Sequence, residues 1–121
     1  MRFMMIVKAD PSYEAGGPPN PALFAAIGKL SEEMTNAGVL LQSGGLLPSS
    51  KGARVRASGG KLTVTDGPFV ETKEKAGGLF IIEARDLNEA IRIASMHPGA
   101  RLGEERGWAV EVRPIADGCH Q

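Results

Sequence analysis

The sequence has little cysteine and no long hydrophobic run. Its single cysteine, Cys119, cannot form a disulfide within the chain, and this usage fits the reducing cytoplasm. The apolar run at residues 3–7 ends at Lys8, so it is too short for a signal-peptide core or a membrane span. We therefore expect a cytoplasmic protein with no membrane partner.

An excess of charge and the usual ligand motifs are also missing. The chain has 14 basic and 14 acidic residues, so no net field concentrates it on nucleic acid. Neither a Walker A loop nor a G-x-G-x-x-G segment is present, and no Cys/His cluster has metal-ligand spacing. These absences predict no nucleic-acid partner, no cofactor and no metal site.

What the sequence does contain is a regular order of apolar patterns along one domain-sized chain, residues 1–121. An apolar strand opens the chain, and a helix is predicted over residues 21–37, followed by a strand interrupted by Gly44 and Gly45. A hairpin turns at Gly59-Gly60, a second apolar strand follows, and Asp86 caps a second helix before a last alternating strand. The order predicts an α+β, ferredoxin-like sandwich with an inserted β-hairpin.

Two of the predicted strands are apolar on both faces, namely the first strand and the strand at residues 79–82. Two helices cover only one face of such a sheet, and exposure of the other face is costly. A homodimer with its sheets packed face to face solves this problem, and the alternative is a monomer with its own cover. In the dimer, Glu111 and Arg113 line an internal cleft.

The segment "TDGPFVETKEKAGG", residues 65–78, has a structural and a functional interpretation. Structurally, Asp66, Gly67 and Pro68 have the composition of a tight turn. Functionally, the rigid Gly-Pro corner holds the carboxylates of Asp66 and Glu71 at the mouth of a cleft, where burial raises a pKa toward that of a general base. Lys73 belongs either to a solvated stretch or to an anion site.

Three further polar residues are candidates for the site. His97 follows the second helix, where it either gains from the helix dipole as a cation or serves as a proton shuttle. Arg113 forms a cross-subunit ion pair with Glu111 or clamps a carboxylate or phosphate. Ser43 contributes a hydrogen bond.

Several motifs in order resemble one known family: "DGPF" at residues 66–69, "GGLFIIE" at 77–83, "LNEAIRIASMHP" at 87–98 and "EVRPI" at 111–115. The chain resembles the DGPF family, which is related to the YCII domain. The resemblance implies a dimeric α+β barrel, and it implies a link to sigma-factor systems. Some YCII relatives are small enzymes with a catalytic His and Asp, but this chain has no histidine before His97.

These observations lead to two functional hypotheses. In the first, the interfacial cleft of a homodimer binds a small anionic molecule, with Asp66, Glu71, His97 and Arg113 as its lining. As an enzyme, this protein would catalyse cofactor-free proton transfer or elimination, with a carboxylate or His97 as base and Arg113 holding the substrate. In the alternative, the chain is a non-catalytic accessory or regulatory module of a sigma-factor transcription system.

Overall fold

The computed structural model of the chain describes residues 1–9, 21–69, 75–101 and 108–116. Its strands are β1 (Arg2–Ala9), β2 (Leu40–Gly45), β3 (Ala53–Ser58), β4 (Lys61–Asp66), β5 (Lys75–Glu83) and β6 (Ala109–Pro114). Its helices are α1 (Pro21–Asn36), α2 (Leu87–Ala94) and the single turn α3 (Pro98–Arg101), and a 3₁₀ turn spans Ser49–Lys51. Within these ranges, no helix combines the length and the apolar character needed to cross a membrane.

Four strands form an antiparallel sheet in the order β2-β5-β1-β6, and β3 and β4 pair separately as a two-stranded sheet. This order is that of a ferredoxin-like β-α-β-β-α-β unit, with β3 and β4 lying between its second and third strands in the chain. The predicted α+β class is therefore confirmed.

The alternation of β1 divides the sheet into a helix-covered face and an open face. Phe3, Met5 and Val7 are buried toward the helices, and they belong to the same face as Phe80 and Ile82 of β5. The intervening side chains of β1 are only half-buried. The core of the chain therefore lies between the four-stranded sheet and helices α1 and α2.

Helix α1 follows its predicted pattern, since Leu30 and Met34 are buried four residues apart and Ile27 packs against the same core. The chain leaves the helix at Gly38, whose φ of 76° is the left-handed conformation that favours glycine. The helix ends at Asn36, one residue before its predicted end, and Ala37 is exposed.

Helix α2 begins as predicted and ends earlier than predicted. The carboxylate of Asp86 accepts a hydrogen bond from the backbone N–H of Glu89 at 2.8 Å, which caps the first turn. The Glu89 carboxylate accepts from the N–H of Arg85 at 3.1 Å. The helix stops at Ala94, and Pro98 opens the short helix α3 instead of ending α2, because proline suits a first helical position.

The irregularity in β2 lies at Leu41 and not at the predicted Gly44-Gly45 pair. Gly44 and Gly45 pair in regular register with Leu79 and Gly78 of β5, whereas the register shifts between Leu40 and Gln42. Because β2 is an edge strand of the sheet, the extra residue can project outward, and the Leu41 side chain is exposed.

Candidate functional site: a cleft between helix α1 and the sheet

A cleft of about 210 Å³ lies on the helix-covered side of the sheet. Helix α1 supplies one wall, the glycine-rich ends of β2 and β5 supply another, and the segments that carry His97 and Trp108 complete it. The described lining residues are Val7, Phe24, Ile27, Ser31, Ser43, Gly44, Gly45, Gly77, Gly78, Phe80, His97 and Trp108.

Aromatic side chains are concentrated in this cleft. The chain has only six aromatic residues, and three of them, Phe24, Phe80 and Trp108, line it. Phe80 and Trp108 are almost fully buried, whereas Phe24 on α1 is 48% exposed. Small-molecule sites combine such aromatic walls with a few polar groups, so this concentration identifies the cleft as the candidate ligand site.

His97 is the only charged or polar side chain among the described residues that is classed as buried, with 1% of its surface exposed. Its ring meets the Phe80 ring edge to face, with the centroids 5.2 Å apart. Burial lowers the pKa of His97 below its ordinary value, since a charged imidazole is poorly solvated there. Burial therefore favours a neutral imidazole at pH 7, which argues against the interpretation of His97 as a cation held by the helix dipole.

The partner of His97 defines which nitrogen carries the proton. The backbone N–H of Gly99 donates to Nδ1 of His97 at 2.9 Å. A nitrogen that accepts a hydrogen bond is unprotonated, so the proton of the neutral ring lies on Nε2. In this tautomer, Nε2 is a hydrogen-bond donor.

Gly99 also allows His97 and Trp108 to pack closely. A Cβ atom at this position would lie 3.0 Å from Nδ1 of His97 and 3.3 Å from Cε3 of Trp108, both shorter than ordinary contacts. The glycine therefore brings the imidazole and the indole to the same wall of the cleft.

Two serines add hydroxyl groups to the described lining. The Ser31 hydroxyl donates to the backbone carbonyl of Ile27 at 3.0 Å, which leaves its oxygen lone pairs as acceptors. Ser43, one of the sequence candidates, pairs with Phe80 across the β2–β5 ladder and lines the cleft. The structure therefore brings two sequence candidates, Ser43 and His97, to one site.

The DGPF segment builds a corner between the hairpin and the 3₁₀ turn. The Gly67-Pro68 peptide is cis, and a Cβ atom at Gly67 would overlap the carbonyl group of Ser49. The N–H of Phe69 donates to the Ser49 hydroxyl at 3.0 Å, and the Arg54 guanidinium lies 4.3 Å above the centre of the Phe69 ring.

Asp66, the last residue of β4, is exposed and is not among the residues that line the cleft. Arg113 is also exposed, and it lies on the open face of the sheet with Glu111, whose carboxylate is 3.7 Å from Nζ of Lys8. The structure therefore separates both Asp66 and Arg113 from His97. Glu71 and Lys73 lie outside the described residues. Among the residues that are described, no three His, Cys, Asp or Glu side chains form a cluster suited to a metal ion.

Comparison with known proteins gives the family. The family model of the YCII-related domain matches residues 1–116. The chain belongs to the YCII-related domain family. An uncharacterised protein of Rhizobium meliloti (strain 1021) is 34% identical to this YCII-related chain over 87 residues, which are 72% of the chain and 68% of that relative.

Among solved structures, the YCII-related chain is similar to the 5-chloro-2-hydroxyhydroquinone dehydrochlorinase TftG from Burkholderia phenoliruptrix AC1100, in complex with 2,5-dihydroxybenzoquinone. The TM-score is 0.57 at 17% identity, and the comparison covers 100% of this chain and 99% of TftG. At this identity, the similarity shows a shared fold.

Sequence reasoning missed the aromatic lining of the cleft. The sequence patterns carry no functional prediction for Phe24, Phe80 or Trp108. The available signal was composition, because aromatic residues make up only 5% of the chain. In addition, two of the three aromatic residues of the cleft lie within or next to apolar stretches of the sequence. Their convergence depends on the pairing of β2 with β5 and on the position of α1, which no local pattern specifies.

Proposed function

We propose that this YCII-related protein is a cofactor-free enzyme of the proton-transfer or elimination type, with the aromatic cleft as its active site. The observation that carries the proposal is a buried, neutral histidine with a defined tautomer in a cleft of ligand size. The similarity in fold to TftG, whose name states a dehydrochlorination, supports an elimination or a related proton transfer.

In the proposed mechanism, His97 acts as a hydrogen-bond donor. When a proton leaves the carbon next to a carbonyl group, the C–H electron pair forms a C=C bond and negative charge moves to the oxygen. A neutral imidazole with its proton on Nε2 stabilises that oxygen, and the apolar walls strengthen the interaction by excluding water. The described lining has no carboxylate, so the proton acceptor is water or a group outside the described residues.

The proposed enzyme is a homodimer that forms through the open face of its sheet. Met4, Ile6, Leu79 and Ile81 occupy this face and are only half-buried within one chain. A second sheet packed against them would bury this apolar surface and form the dimeric α+β barrel expected from the family resemblance.

Sedimentation of purified protein tests the dimer. Ile6→Glu places a charge on the open face and is expected to give a monomer, whereas Ile91→Glu on the exposed side of α2 is expected to remain a dimer. Circular dichroism verifies that both variants fold. A monomeric wild type, or a dimeric and folded Ile6→Glu variant, contradicts this interface.

Deuterium exchange at the carbons next to the carbonyl of cyclohexanone in D₂O, followed by proton NMR, tests the enzymatic proposal. His97→Phe keeps a ring in the site and removes the donor, so the catalysed exchange should fall by about 10²- to 10³-fold. Asp66→Ala, which changes an exposed residue outside the cleft, should stay within about twofold of wild type on the scale of ordinary surface substitutions. No catalysed exchange by wild type, or equal exchange by His97→Phe, contradicts the proposal.

A non-catalytic accessory module is the second candidate, and the β3–β4 hairpin favours it. Val55, Leu62 and Val64 are 63%, 75% and 67% exposed, so the hairpin presents an apolar side to solvent. The link to sigma-factor systems stays a prediction. If the catalysed deuterium exchange requires His97 and is unchanged in Val64→Ser, the result favours the enzyme over the accessory module.

A further inference from the structure

We infer that the aromatic cleft selects an uncharged molecule with a single ring and two oxygen substituents, one of which accepts a hydrogen bond from His97. This inference names the substrate class of the proposed enzyme and therefore rests on the proposed function. It replaces the anionic ligand that the sequence analysis predicted.

The size of the cleft limits the ligand to one ring. An apolar cavity of about 150 Å³ is sufficient to bind benzene. The cleft has about 210 Å³, which leaves room for two or three small substituents on such a ring. A two-ring molecule would exceed this volume and extend out of the cleft into solvent.

The walls favour a flat and apolar ring body. The side chains of Phe24, Phe80 and Trp108 offer ring faces and edges, and Val7 and Ile27 add aliphatic surface. Gly45 pairs with Gly78 on the helix-covered face and adds no side chain, and a Cβ atom there would meet no other atom within 4 Å. This glycine therefore leaves open space beside the ring.

Two polar groups of the cleft, His97 and Ser31, have a defined hydrogen-bonding direction and therefore select the type of ligand oxygen that each one binds. Nε2–H of His97 is a donor and requires an acceptor such as a carbonyl or hydroxyl oxygen. The Ser31 oxygen, whose proton is used by the carbonyl of Ile27, accepts from a ligand hydroxyl. A ring with one acceptor oxygen and one hydroxyl satisfies both groups.

The described lining disfavours a charged ligand. None of the lining residues listed above is Lys, Arg, Asp or Glu, and the buried imidazole is neutral. A carboxylate or phosphate transferred into this environment would lose its hydration without gaining a counter-ion, which is costly. An uncharged oxygen loses far less and regains a hydrogen bond.

Two probes of nearly equal size separate these alternatives at pH 7: hydroquinone, which is uncharged, and 4-hydroxybenzoate, which is an anion. Trp108 is the only tryptophan of the chain, so the single indole N–H peak in a ¹H–¹⁵N spectrum reports binding at this wall. We expect hydroquinone to bind at least about tenfold more tightly, a difference of about 1.4 kcal/mol.

A matched pair of variants locates the binding. Phe24→Ala removes a wall of the cleft and should weaken hydroquinone binding about fivefold or more, on the scale of one aromatic contact. Leu87→Ala is the control, because Leu87 is 49% exposed, close to the 48% of Phe24, and lies on α2 outside the cleft. Its hydroquinone affinity should equal that of wild type.

Equal or tighter binding of 4-hydroxybenzoate would overturn the inference. A Trp108 peak that does not shift with either probe up to about 10 mM would also overturn it, since this concentration exceeds the dissociation constants of ordinary weak ligands. The failure of the proposed function is distinguishable from these results. If hydroquinone binds selectively but no deuterium exchange depends on His97, the inferred ligand class is supported and the proposed enzymatic function is rejected. If exchange depends on His97 but the anion binds better, the enzyme stands and the ligand class is wrong.

Discussion

The neutral state of His97 has a consequence for the stability of the protein toward acid. Burial lowers the pKa of His97 in the folded chain, whereas the unfolded chain has the ordinary value near 6.5. As the pH falls below about 6.5, the unfolded state therefore binds a proton that the folded state does not, and the free energy of unfolding decreases. The loss stops when the pH reaches the lowered folded pKa.

The size of this loss follows from the titration of one proton. It is at most about 1.4 kcal/mol per pH unit, so between pH 7.5 and pH 5.5 it amounts to at most about 1.4 kcal/mol, because most of the change lies below pH 6.5. With a urea dependence of about 1 to 3 kcal/mol per molar, the unfolding midpoint falls by up to about 0.5 to 1.4 M.

Urea unfolding of wild type and His97→Phe at both pH values measures the effect. We compare the loss in free energy of unfolding between the two pH values for the two proteins. In the difference between these losses, the contributions of other titrating groups cancel, and so does the pH-independent effect of the substitution on packing. Wild type is expected to lose more stability than His97→Phe on acidification. Equal losses of stability in the two proteins would refute the claim that burial holds His97 neutral. A greater loss in the variant would mean that folding raises the pKa of His97 instead of lowering it.

Three substitutions of backbone and capping residues have further expected outcomes in urea unfolding. Gly67→Ala should destabilise the chain by about 1 to 3 kcal/mol, because the new Cβ overlaps the Ser49 carbonyl group; stability equal to wild type would contradict the close approach. Gly28→Ala should stabilise it by about 0.5 to 1 kcal/mol, since the position is helical and a Cβ there has open space. Asp86→Ala should cost about 1 kcal/mol through the lost α2 cap, and Asp86→Asn should retain most of that stability.

Local features of the fold were predictable from sequence where one residue has a strong physical preference. Gly38 marks the end of α1 because a left-handed residue is needed there, and Asp86 marks the start of α2 because its side chain caps a free N–H. The alternation of β6 likewise indicated which of its side chains share a face. These features depend on a few neighbouring residues only.

Features that depend on contacts between residues distant in the sequence were harder to predict from the sequence. The bulge at Leu41 follows from the pairing of an edge strand with β5, and the glycines nearby pointed to the wrong residue. Buried His97 contacts Phe80 and accepts a hydrogen bond from Gly99, whereas its position after a helix suggested a cation stabilised by the helix dipole or a proton shuttle. Asp66 was a reasonable candidate by residue type, but the corner that it begins faces Ser49 and not the cleft.

We expect His97 to present a neutral Nε2–H donor in the aromatic cleft. A long-range ¹H–¹⁵N correlation spectrum of protein with labelled histidine tests it directly at pH 7, since unprotonated and protonated ring nitrogens have well-separated resonances. We expect an unprotonated Nδ1 and a protonated Nε2 for His97, with the Nε2 resonance shifting when hydroquinone is added. Two protonated nitrogens, or a proton on Nδ1, would contradict it.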